Sequence, residues 1–230
     1  MESLLEGVAV FMKALLPAYY IALTGACGVA TATAFYQMIL ILIFLTEKIL
    51  LLFILPAIRM YLVLELINFL TKEEFLSKMT ELLKNGILWA LKSMVGVIVG
   101  IQLIQRLISP AVDTLKRSLI GRTAGALPGV GNLFSGITEV VLGSAVLIKN
   151  CLGAAAIVIL LLAGAAPLCR MGISALVYQF LAALVQPVTD KRMVGCIHTM
   201  GESLGMLVRM LLTMEILFLL TIAILAGSLQ

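Results

Sequence analysis

The sequence predicts an all-α fold, a polytopic bundle of helices in a membrane, and three observations carry that prediction. Of 230 residues, 62% are hydrophobic and only 12% charged, with a mean hydropathy of +1.17. A soluble domain averages roughly 45–50% apolar and about 25% charged residues. The apolar residues also fall in runs of about 20, the length a bilayer span needs. Little remains between those runs, so residues 1–230 read as a single transmembrane domain of about six or seven membrane segments and one short amphipathic helix.

Glu2 and Glu6 stand where a signal peptide would carry basic residues, so no removable targeting segment is expected. Between Lys13 and Glu47 there is no charge, and the run from Gly7 is long enough for two spans, near 7–25 and 29–46, turning at Gly25 to Gly28. The next apolar stretch, 49–70, contains Pro56, Arg59 and Glu65. Its fifteen Leu, Ile, Val and Phe residues favour insertion by about 4.5–9 kcal/mol, against roughly 5–7 kcal/mol for two central charges. Insertion is marginal: the segment is either a span whose Arg59 faces a partner helix or aqueous path, or a kinked interfacial segment.

Residues 71–84 change character. Thr71 and Glu74 have capping-box spacing, Phe75, Leu76, Met79, Leu82 and Leu83 follow a helical period, and Asn85-Gly86 supplies a stop. This predicts the short amphipathic helix. A span over 87–108 follows, with Gly96 and Gly100 forming a GxxxG face. After Ser109-Pro110 comes the most polar stretch, then a Leu-Pro-Gly-Val turn at Pro128 and Gly129. A helix from an Asn132 cap to Asn150 is expected next, then uncharged runs over 150–169 and 171–189 divided by Pro167 and Arg170. A mildly polar connection precedes a last span over 207–229.

The net charge of +4 has no polar domain on which to cluster, which excludes nucleic acid as a partner and leaves it as loop charge that orients the chain in the lipid bilayer. Basic residues place 106–150 on the cytoplasmic side, with Lys116, Arg117 and Arg122 in 111–122. Cys27, Cys151, Cys169 and Cys196 lie far apart in apolar surroundings and read as buried thiols.

The glycine-rich stretch Gly121 to Gly136 lacks the Gly-Lys-Ser/Thr ending of a phosphate loop. It reads as a turn followed by small residues for helix packing, the sharper alternative being a broken helix lining a path. Cys196, His198 and Glu202 could meet on one helix, but three weak ligands make a poor metal site, and no nucleophile–base set exists. Neither a cofactor nor an enzymatic activity is expected. The intramembrane charges Arg59, Glu65, Glu139, Lys149 and Glu215 remain as functional candidates, since a charge at mid-bilayer costs roughly 2.5–3.5 kcal/mol. Pro128, Gly129, Gly131, Gly136, Gly143, Ser144 and Lys149 are the candidate assembly residues, because small side chains let another helix or a second copy approach closely.

From Leu115 to Asp190 the chain resembles the stage III sporulation protein AE family. The resemblance rests on ALPGVGNLFSGITEVVLGSAVLIKNCLG over 126–153, on Pro167, and on YQFLAALVQPVTDKR over 178–192. It implies a multi-pass protein of the mother-cell membrane surrounding the forespore. The implied role is a non-catalytic platform or export-gate component of a secretion or channel complex joining the two cells. The implied partners are a secretion-type ATPase, ring-forming intermembrane proteins and a forespore protein. Family members carry an exported N-terminal region of well over a hundred residues, and this chain begins almost at its first span, as a fragment or short member would. Such a leader would start the first span outside, which makes 49–70 the segment expected not to cross. The other functional class the residues allow is an autonomous secondary transporter with Arg59, Glu65 and Glu215 at its binding site.

Overall fold

The computed structural model describes residues 2–27, 29–71, 76–124, 131–227, with side chains described outside 26–27, 30–31, 105–124, 131–139, 141–142 and 227. The described residues form helices: α1 (Glu2–Cys27), α2 (Val29–Ile49), α3 (Leu55–Leu70), α4 (Ser77–Ala124), α5 (Gly131–Val185) and α6 (Lys191–Gly227), with one π turn, Leu50–Ile54, between α2 and α3. The all-α membrane fold is as the composition requires. The number of spans is lower than expected. Five stretches are long and apolar enough to cross a membrane: Glu2–Gly25, Ala32–Leu70, Ser77–Ile104, Gly143–Val185 and Lys191–Ala226.

The difference has a common cause, which is that polar residues and prolines do not interrupt these helices. Pro56 has no N–H to give the carbonyl four residues back. The chain meets this by widening the turn before it, so that the Leu55 N–H bonds to the Leu50 carbonyl five residues back, and α2 runs through the π turn into α3. Segments 29–46 and 49–70 therefore make one candidate span. Pro167 lies inside α5, and with exposed Arg170 leaves it unbroken, so the expected helices over 132–150, 150–169 and 171–189 are one 55-residue helix. The connection expected before residue 207 is likewise the first half of α6.

The separate amphipathic helix is overturned. Thr71 is the extended C-cap of α3, and its hydroxyl donates to the Ile67 carbonyl at 2.7 Å, so it closes the preceding helix. Glu74 and Phe75 lie outside the described residues. Residues 77–84 are the first turns of α4, which passes through Asn85-Gly86 and Ser109-Pro110 without a stop. An interior glycine costs about 1 kcal/mol, less than is gained by keeping Ile87, Leu91, Met94 and Ile98 buried on one face. The cysteines expected to be buried are not: Cys151 and Cys169 are exposed, on helix faces that an apolar solvent can cover, and Cys196 is half-buried, while the Cys27 side chain lies outside the described ones.

Packing divides the chain into two compact units. The first comprises Met1–Ala9, Phe44–Gly96 and Leu161–Ile216, and the second Val10–Ile43, Val97–Leu160 and Leu217–Gln230. Leu50, Ile58, Tyr61, Met206 and Met210 are buried in the first, and Met12, Tyr19, Ile43, Leu160 and Phe218 in the second.

Candidate functional site: a charged cluster on three helices

The first unit holds a connected set of polar side chains within its apolar helices. The Tyr61 hydroxyl on α3 donates to Glu202 Oε2 on α6 at 2.6 Å. The other carboxylate oxygen of Glu202 is paired with the Lys84 ammonium of α4. Glu65 is one turn beyond Tyr61 and a charged neighbour of its hydroxyl, and His198 is one turn before Glu202 and bears on its carboxylate. Tyr61 is buried, while the Lys84 and Glu202 side chains retain 36% and 26% of their exposure.

Two glycines on α6 set this geometry. A Cβ on Gly201 would lie 3.1 Å from the Ala175 carbonyl oxygen and 3.2 Å from the Gln179 nitrogen, so α6 lies nearly against the α5 backbone there. The next side chain, Glu202, is thereby turned to α3 and α4. At Gly195 the place of a Cβ is taken by the Phe69 ring, which fixes the end of α3 against the first turns of α6. A third close approach holds Glu215: its carboxyl fills the space where Gly164 of α5 would carry a Cβ. Glu215 is buried, and its Oε2 has no hydrogen-bond partner among the described residues.

The second unit has polar contacts of another kind. Gln102 Nε2 donates to Thr221 Oγ1 at 2.7 Å, both side chains buried, beside a cavity of about 20 Å³ walled by Phe35, Met38 and Leu225. The Tyr19 hydroxyl occupies the Cβ position of Gly153. Tyr20 and Thr33 hydroxyls meet at 3.2 Å.

The residues singled out in the sequence are distributed as follows. Arg59 pairs with Glu2 at 2.9 Å on the surface, 61% and 58% exposed; Glu65 joins the charged cluster, and Glu215 sits in its glycine slot. Among the described residues the three do not share a partner. Lys149 is fully buried, Gly143 has open space at its Cβ position, and Ser144 donates to the Val140 carbonyl at 2.8 Å. Gly96 and Gly100 also have open space. Pro128 and Gly129 lie outside the described residues; Gly131, Gly136 and Glu139 belong to α5, with their side chains outside the description. Among the described residues no three of His, Cys, Asp and Glu gather as metal ligands. Sequence reasoning missed Tyr61 and Lys84. The available signal was the i,i+4 spacing of Tyr61 with Glu65 and of His198 with Glu202 on apolar helices.

The shared carboxylate pairs with one ammonium and accepts from one hydroxyl, an arrangement that ties three helices together. A profile of the family described as stage III sporulation protein AE matches residues 1–228. The chain belongs to the stage III sporulation protein AE family. A family member from Bacillus subtilis (strain 168), "Stage III sporulation protein AE", is 24% identical over 222 residues, which are 95% of this chain and 56% of the relative. The chain thus spans about half the length of the curated relative it matches. No solved structure matches it. Membership ties the long apolar helices to sporulation, and the quoted stretch over 126–153 lies inside the matched residues.

Proposed function

We propose that the chain is a non-catalytic, multi-pass membrane subunit of a secretion or channel complex that joins mother cell and forespore, serving as platform or export-gate component. The observation that supports this most directly is the length and exposure of α5. Its apolar stretch Gly143–Val185 has 43 residues, and only 22% of its most apolar window is buried, the least of the five candidate spans. That length is about twice the roughly 20 apolar residues one span needs. Lipid covers part of that apolar surface, and protein has to cover the rest. A membrane subunit in a larger assembly has such protein beside it; a transporter working alone does not.

The test is photo-crosslinking from α5 in sporulating cells. Crosslinkers replacing exposed Leu162 and Phe180, both on α5, should capture discrete proteins, and the chain should co-purify with a secretion-type ATPase and with ring-forming proteins. Gly143→Leu should reduce that co-purification while leaving the amount in the membrane unchanged. A chain that purifies alone, with adducts only to lipid, would overturn the proposal.

A further inference from the structure

We propose that the groove where α3 ends and α6 begins binds the headgroup of an anionic glycerophospholipid. The groove has a volume of about 640 Å³ and is lined by Phe69, Leu70, Asp190, Lys191, Arg192 and Met193, within the 300–1,000 Å³ range of small-ligand sites. It lies inside the first unit. The Phe69 ring against Gly195 builds it, since any side chain at 195 would push the end of α3 off α6.

Position, charge and shape each point to a lipid. Two apolar helical stretches have an end here, one at Leu70 and one at Lys191, so the groove stands at helix ends, where a headgroup can be reached, and not along their apolar length. Two cations face one carboxylate, and neither Lys191 nor Arg192 forms an ion pair or side-chain hydrogen bond with a described residue. Arg matches phosphate oxygens in a two-pronged geometry and Lys adds a point charge. The lining also includes exposed apolar side chains, Leu70 at 76% and Met193 at 62%, so an acyl chain leaving the phosphate would run along them. Basic pockets between membrane helices recognise anionic headgroups on this principle. A free phosphate would satisfy the cations and leave the apolar side chains unused.

The full chain, purified in micelles doped separately with phosphatidylglycerol and phosphatidylcholine, would be examined by native mass spectrometry. Phosphatidylglycerol should be retained preferentially, and Lys191→Gln with Arg192→Gln should weaken its binding roughly 30-fold, the effect of two near-surface charges. Met193→Glu adds a like charge in the groove without touching either cation. It should also lower retention and provides the test if the double variant does not fold. Millimolar inorganic phosphate should not displace the lipid. Equal retention of both lipids, unchanged binding by the double variant, or displacement by inorganic phosphate would each overturn the proposal.

Discussion

The two units bury polar groups by different chemistry. In the first, polarity is ionic and shared: one Glu202 carboxylate satisfies both the Lys84 ammonium and the Tyr61 hydroxyl. In the second, beside the fully buried Lys149, the hydrogen-bonded side-chain pairs are neutral, as in Gln102 with Thr221 and Tyr20 with Thr33. A neutral pair in an apolar environment can be replaced by hydrocarbon at little cost, because each lost bond was worth about 0.6 kcal/mol on average in a membrane. An ionic cluster behaves differently. Its net contribution is small while intact, yet removing one member strands the others in a medium that solvates charge poorly. The first unit is therefore the one in which single substitutions act on three helices at once.

The largest effect should follow from Glu202→Ala. Breaking a fully buried pair costs about 3–5 kcal/mol; with Lys84 and Glu202 about a third and a quarter exposed, a loss of about 2–3 kcal/mol is expected. Thermal unfolding in detergent would measure it. Adding Lys84→Met to Glu202→Ala should recover part of the loss, since no ammonium is then stranded. If the double variant is as unstable as the single one, the cluster is not ionic in origin, and the contrast between the units fails.

How much of this was legible depends on which force decides. Composition and run length report burial in lipid, and they gave the fold class directly. Helix ends were read from local signals, namely Pro56, Pro167, Asn85-Gly86 and the Thr71 to Glu74 spacing, and most of these were overridden. A helix in a bilayer has no water to take up freed carbonyls, so the chain keeps its helix through a proline or glycine where a soluble protein would turn. Thr71 shows the same ambiguity at one residue: its hydroxyl can accept at the start of a helix or donate at the end of one, and the sequence does not say which. Glu65 and Glu215 were legible because a charge in an apolar run stands out. Tyr61 and Lys84 were not, since a tyrosine and an end-of-helix lysine are ordinary there until tertiary packing brings Glu202 to both.

A smaller effect compares two glycine slots. In the first unit Gly164→Ala places a methyl group in the space of the Glu215 carboxyl; in the second, Gly153→Ala does the same to the Tyr19 hydroxyl. Each overpacking should cost about 1–2 kcal/mol. The rescues should differ. At Gly164 the carboxyl carbon itself obstructs the methyl group, so Glu215→Gln should not help and Glu215→Ala should. At Gly153 the ring carbon bearing the hydroxyl is 3.7 Å from the Cβ position, an ordinary contact, so Tyr19→Phe should suffice in part, with Ala226 still at 3.0 Å. Melting temperatures of the two single and three double variants would decide. Equal rescue by Glu215→Gln would mean that charge and not volume sets the first slot.

The smallest effect belongs to Gln102→Leu. Gln102 is buried, it donates to Thr221, and its Oε1 has no hydrogen-bond partner among the described residues. The substitution therefore removes one made bond and one unsatisfied acceptor together. Thr221 loses nothing essential, because its own hydroxyl already donates to the Leu217 carbonyl at 2.7 Å. Leucine is close to glutamine in volume, and the adjoining cavity, about 20 Å³ and lined by Ile39, Leu42 and Ile224, leaves space for its branched end. The expected change in stability is within about 0.6 kcal/mol of zero, with either sign. Unfolding in detergent, compared with Glu202→Ala under identical conditions, checks it. A loss as large as that of Glu202→Ala would show that the neutral contact carries as much as the ionic one, and the distinction between the two units would have to be abandoned.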